Sequence, residues 1–176
     1  MAADPGGIFF DTNVIVYAYD AADRSKQLRA RAVIDTAMKA DRFVISTQVM
    51  QEFYNVAARR RLMSAQHATQ LLKHLAEHAV VPASADSVLR ALLLQQHHTL
   101  SLWDALIVQA ALDAGCVVLY SEDLQDGRCF DASGGAQPAL QVVNPFSAEW
   151  PASPSPAVHE PPASYRVATK KRRPVK

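Results

Sequence analysis

The chain of 176 residues has few cysteines, few glycines and no long apolar run, and each shortage removes a class of function. Cys116 and Cys129 have neither CxxC spacing nor an adjacent His, so they build no disulfide framework and no redox motif. Paired glycines occur only at Gly6–Gly7 and Gly134–Gly135, without a following Lys-Ser/Thr, which excludes a Gly-rich phosphate loop. No stretch reaches the roughly 18 apolar residues of a membrane helix. The opening "MAADPGG" lacks the basic and apolar regions of a signal peptide, so the expected location is the cytoplasm, with no membrane involved. No internal repeat is evident.

About half of the residues are apolar, at 49%, and the length suits one domain with a sizeable core. The formal charge of +1 is unevenly spread. Residues 1–150 hold 12 Lys/Arg against 16 Asp/Glu, or −4, whereas 151–176 hold 6 against Glu160 alone, or +5. That final segment is rich in Pro, Ala and Ser and poor in large apolar groups. Composition therefore divides the chain into a domain over 1–150 and a disordered tail over 151–176, whose basic end "KKRRPVK" either contacts phosphates or is a solvated terminus.

Within 1–150 the pattern is α/β. Short apolar runs at 7–10, 43–46, 116–120 and 140–143, with a weaker fifth at 79–81, read as strands of a mainly parallel sheet. Between them, apolar residues recur at three and four: Ala30, Val33, Ile34, Ala37 and Met38, then Val49, Phe53, Val56 and Ala57. Leu71, Leu72 and Leu75, followed by Val88, Leu89, Leu92 and Leu93, mark two further helices.

Against this background four acidic positions stand out, the last a cluster of three. Asp11 interrupts "IFFDTNVIVYAYD" where a strand ends and a helix begins, the edge at which open α/β sheets collect ligands. The competing role is a helix cap. Glu52 falls on the flank of an apolar stripe, which predicts partial burial. Asp104, in "LSLWDALIVQAAL", has Ile107, Val108 and Ala111 at i+3, i+4 and i+7 and so lies on an apolar face, where an unpaired carboxylate is costly. Its alternative is a first-turn acid favoured by the helix dipole. Glu122, Asp123 and Asp126 follow the strand at 116–120 within one turn. Several carboxylates converging at one sheet edge without a basic partner call for a hard divalent cation such as Mg²⁺ or Mn²⁺.

In order and spacing, "FFDTNVIVYAYD", "STQVMQEFYNV", "LSLWDALIVQAAL", "LYSEDLQDG" and "VVNPF" resemble the PIN-domain ribonucleases, most closely the VapC-like toxins of bacterial type II toxin–antitoxin pairs. The resemblance spans roughly residues 7–146. It implies a PIN-like three-layer α/β/α sandwich and Mg²⁺- or Mn²⁺-dependent hydrolysis of RNA phosphodiesters by an acidic quartet, Asp11, Glu52, Asp104 and Asp123, with Asn13 and Ser121 as polar supports. Asp11 and Asp104 would be principal ligands, Glu52 a ligand or the orienter of the attacking water, and Asp123 the outer ligand, with Glu122 as its rival. The implied partners are an RNA substrate (tRNA, rRNA or mRNA), a small VapB-like antitoxin and a second copy of the chain in a homodimer.

Arg59, Arg60 and Arg61 are candidate RNA-holding cations or simply a solvated helix end. Tyr17, Tyr19, Phe53 and Tyr54 line a partner groove or belong to the core. Two other enzyme classes have weaker support. "HLAEH" at 74–78 matches an inverted zinc-protease motif, and an aspartyl phosphatase would need an acid two positions after Asp11, where Asn13 stands. The non-enzyme alternative is a PIN-like module that binds RNA or protein without turnover.

Overall fold

The computed structural model describes residues 6–131 and 139–148, so the expected tail over 151–176 lies outside the described residues. Strand β1, Gly7–Phe10, runs into helix α1, Thr12–Tyr19, which is followed by α2, Arg24–Lys39. Next come β2, Phe43–Ser46, α3, Thr47–Arg59, α4, Ala65–Leu75, and β3, Ala79–Val81. The described chain continues through α5, Ala85–His98, α6, Leu102–Asp113, β4, Cys116–Tyr120, β5, Cys129–Phe130, and β6, Leu140–Val143.

All five expected strands form over the expected residues. With β5 they make one six-stranded sheet in the order β3-β2-β1-β4-β6-β5, parallel throughout except for the β5–β6 pair. Successive strand residues point to opposite faces, and all four residues of β2 are buried, so both faces of the sheet are covered by helices. That arrangement is the three-layer α/β sandwich. Phe9, Phe10, Phe43, Phe53 and Phe130 are fully buried, and Phe10 stacks on Phe43 with ring centroids 4.8 Å apart.

Two features depart from the expectation. The two-residue antiparallel β5 carries no pattern long enough to announce a strand. On α5 the apolar stripe does not face the core: Leu89 and Leu93 are 62% and 56% exposed, and the helix buries only Ala91. A cluster of leucines two and three abreast fits either face of a helix, and the packing of α5 on α6 selects the small side chain.

The topology fixes where function can sit. After β3 the chain crosses β2 and β1 to place β4 on the far side of β1, in register from Ile8↔Val118 to Phe10↔Tyr120. The carboxyl ends of β1, β2 and β4 therefore share one edge. Asp11 follows β1 directly and Ser121 follows β4, tied by the Asp11 amide donating to the Tyr120 carbonyl at 3.0 Å.

Candidate active site

Asp11 stands at the carboxyl edge of the sheet, as its sequence position suggested, and is also a helix cap. It caps α1, its Oδ1 accepting from the Thr12 amide at 2.6 Å. Its Oδ2 accepts from Ser121 Oγ at 2.7 Å and from Asn13 Nδ2 at 2.9 Å. Only 8% of the residue is exposed. Burial pushes its pKa up to about 6 against the lowering pull of the Ser121 and Thr12 hydrogen bonds, and the charges of Asp123 and Glu52 add to the rise. Three of the four singled-out acids thus feel one another.

Asn13 binds the two strand-end acids together. Its Nδ2 donates to Asp11 and also to Asp123 Oδ2 at 3.1 Å, while its Oδ1 accepts from the Glu122 amide at 3.3 Å. Ser121 Oγ in turn accepts from the Asp123 amide at 3.2 Å, which fixes the turn carrying Asp123. The neighbouring Glu122 is committed elsewhere: it pairs with Lys26, whose ammonium also lies 4.5 Å from the Tyr17 ring centroid. Burial opposes its ionised form, but Lys26 and the Tyr17 hydroxyl more than offset this and hold its pKa below the usual carboxylate value.

The helix acids are held by their own helices and neighbours. Glu52, half-buried on α3 as its stripe position predicted, accepts from Thr12 Oγ1 at 2.6 Å and from Gln48 Nε2 at 2.8 Å. Asp104 lies in the first turn of α6. It accepts from Ser101 Oγ at 2.7 Å while its amide donates back to that oxygen at 3.1 Å, a reciprocal cap. The first-turn reading of Asp104 holds, and this capped, half-buried acid also lines the common cavity.

That cavity, of about 410 Å³, is lined by Asp11, Glu52, Asp104 and Asp123, but not by Glu122. Arg60 is the only Lys or Arg in its described wall, next to Thr12, Asn13, Tyr17, Gln48 and Trp103. Of the arginine run at 59–61, then, one member reaches the site. Arg60 also lies 3.6 Å from Asp20.

A model of the PIN domain matches residues 8–125, about two-thirds of the sequence. The chain belongs to the PIN domain family. Solved structures with the same fold include a toxin–antitoxin complex from Klebsiella pneumoniae, at 21% identity and a TM-score of 0.54 over 80% of this chain and 99% of that one. VapC20 of Mycobacterium tuberculosis, described as a sarcin–ricin loop cleaving toxin, is 21% identical with a TM-score of 0.51 over 75% of this chain and 100% of its own. DNA-bound VapBC from Salmonella typhimurium is 13% identical with a TM-score of 0.52, covering 80% and 98%. No curated protein matches the chain.

As the side chains stand, no three His, Cys, Asp or Glu among the described residues form a ready ligand set. The carboxylate oxygens are instead occupied by Asn13, Thr12, Gln48, Ser121 and Ser101. The donor set nevertheless fits: four carboxylates around one cavity with a single arginine form an oxygen-rich anionic surface suited to Mg²⁺ or Mn²⁺. Most of these hydrogen bonds come from side chains that can exchange a carboxylate for another acceptor by rotation.

Sequence reasoning missed Thr12, Gln48 and Ser101 as partners of the acids. Ser101 was detectable as the start of an S-x-x-D capping pattern, but the other two depend on which helix faces which. The zinc-protease motif dissolves in the fold. Helix α4 ends at Leu75 with Ala76 as cap, so His78 leaves the helix and packs edge-on against Phe43 at 5.5 Å. Phe53 belongs to the core and Tyr19 packs against it, whereas Tyr17 reaches the cavity.

Proposed function

We propose that this PIN domain is a metal-dependent endoribonuclease, the toxin of a VapBC-type pair. The observation that carries the reading is the convergence of Asp11, Glu52, Asp104 and Asp123 on one cavity from four separate parts of the chain. A bound Mg²⁺ or Mn²⁺ would lower the pKa of a water and offset charge on the scissile phosphate. Asp11 and Asp104 would hold the ion, Asp123 would complete the site, and Glu52 would hold the ion or orient the attacking water. Thr12 and Gln48 fix the Glu52 carboxylate from two sides, and Asn13 and Ser121 hold Asp11 against Asp123. Arg60 supplies the cation on the wall that draws the phosphate backbone toward an otherwise repulsive site.

The domain would run over 1–150 with 151–176 as a separate tail. Toxin–antitoxin complexes among the fold neighbours support a VapB-like antitoxin as partner; a second copy of the chain in a homodimer is the other partner of this reading. None of the described helices is long and apolar enough to cross a membrane; the proposed substrate is cytoplasmic RNA. The test is cleavage of mixed tRNA and rRNA by purified protein in Mg²⁺, Mn²⁺ or EDTA, beside Asp11→Asn. Cleavage that requires metal and disappears in the variant supports the reading; RNA binding without turnover in every condition would favour the binding module instead.

A further inference from the structure

Trp103 is the most exposed large hydrophobic residue described, at 63%, and it stands on the wall of the acid cavity next to Asp104. The rest of α6 is anchored: Ala105, Ile107, Val108 and Ala111 are buried, and Ser101 caps the helix. The indole takes no part in that packing. Among the described residues no aromatic ring, Lys or Arg stacks on its face. Its backbone, in contrast, is fixed by Gln48, whose Nε2 donates to the Trp103 carbonyl at 3.4 Å and to Glu52 Oε1 at 2.8 Å. One glutamine thus ties the helix carrying Glu52 to the backbone that bears the exposed indole. An aromatic side chain of 150–250 Å² held open on a rigid helix start is a preformed stacking surface.

We infer that Trp103 is the nucleobase platform of this site: an unpaired base beside the scissile phosphodiester of a single-stranded RNA stacks on the indole. The inference rests on the ribonuclease reading above. Its logic is electrostatic. A phosphate strand approaching four carboxylates is repelled except at Arg60 and at any bound cation, whereas a base stacking on the uncharged indole adds attraction that does not depend on the charge of the wall. Because Trp103 precedes Asp104 in the same helical turn, a base seated on it holds its own phosphate at a fixed reach from the acids. Every base has a π-face, so the platform selects unpaired over paired RNA rather than one base over another.

The test uses full-length protein carrying Trp150→Phe, which leaves Trp103 as the sole tryptophan, with Asp11→Asn added for binding measurements. A short random-sequence single-stranded RNA should quench the tryptophan emission as it saturates, and Trp103→Ala should weaken its binding roughly tenfold or more. Trp103→Phe should restore most of that loss. In the cleaving protein, Trp103→Ala should raise KM with little change in kcat and no change in melting temperature, while an abasic strand of equal length should bind both proteins alike. Cleavage that depends on Asp11 but is untouched in KM by Trp103→Ala overturns the platform and leaves the ribonuclease intact. Unchanged RNA affinity together with loss of a co-purifying protein would assign Trp103 to a protein partner and likewise overturn it. Absence of any Asp11-dependent cleavage by the parent defeats the ribonuclease reading, and the platform with it.

Discussion

Replacing Asp11 by Asn should stabilise the metal-free protein while abolishing its activity. Asp11 is buried, and its pKa rises from 3.8 to about 6 on folding. At 1.36 kcal/mol per pKa unit, keeping it ionised at neutral pH costs the fold roughly 3 kcal/mol. An amide removes that cost but sets its own NH₂ against the Asn13 donor or Ser121, returning about 1 kcal/mol. The net gain is about 1–3 kcal/mol, or about 2–10 °C in melting temperature for a chain of this size. The sign with pH follows from proton linkage. Between pH 6 and 3.8 the folded wild type holds a proton that the unfolded chain lacks, so its stability rises as pH falls through 6, and the advantage of the variant shrinks toward zero near pH 4. Thermal melts in EDTA at several pH values measure both. In Mg²⁺ the order should reverse if the ion binds the wild type alone, and cleavage should drop at least about a hundredfold. A variant less stable than wild type in EDTA at pH 7.5, or a gap that ignores pH, would refute the claim that Asp11 is a costly charge kept for a ligand.

Glu122→Gln should leave metal-dependent cleavage within a few-fold of wild type, because Glu122 is committed to Lys26 and stands off the cavity; the partly exposed pair contributes about 1 kcal/mol at most. Asp123→Asn should instead lose activity, and equal effects of the two substitutions in the same cleavage assay would argue against Asp123 as the fourth acid. Thiol titration of the native protein should find one reactive cysteine, since Cys116 is buried with its pKa pushed up to about 12 by desolvation while Cys129 is exposed. Two fast-reacting thiols would mean that the β4 end of the sheet opens readily. Deleting residues 151–176 should leave the melting temperature unchanged and reduce only salt-sensitive RNA affinity, so a less stable truncation would show that the tail packs on the domain.

What could be read in the sequence follows from the range of the forces involved. The central strands β1, β2 and β4 were legible because each is a short β-branched or aromatic run largely buried on both faces, with turn or cap residues at its ends. Asp11 was legible because a lone acid ends such a run. Glu122 and Asp123 were not separable, since the choice depends on Lys26, 96 positions away in sequence, and on Asn13 meeting the 121–123 turn. Thr12 carries no local sign of its partner; its hydroxyl reaches Glu52 because α1 and α3 pack together. The outward face of α5 and the two-residue β5 have no local signal at all.

The sheet order also governs when the site comes into being during synthesis. β1 emerges first, yet its Asp11 is not surrounded by its acidic companions until β4, over 100 residues later, has docked beside it and Ser121 has closed on the carboxylate. Pairing across so long a separation is a late event in folding. A growing chain therefore carries a dispersed set of harmless acids until nearly the whole domain has been made. If the protein cuts RNA, the ribosome that makes it is exposed to the finished blade only after the last strands have left the exit tunnel.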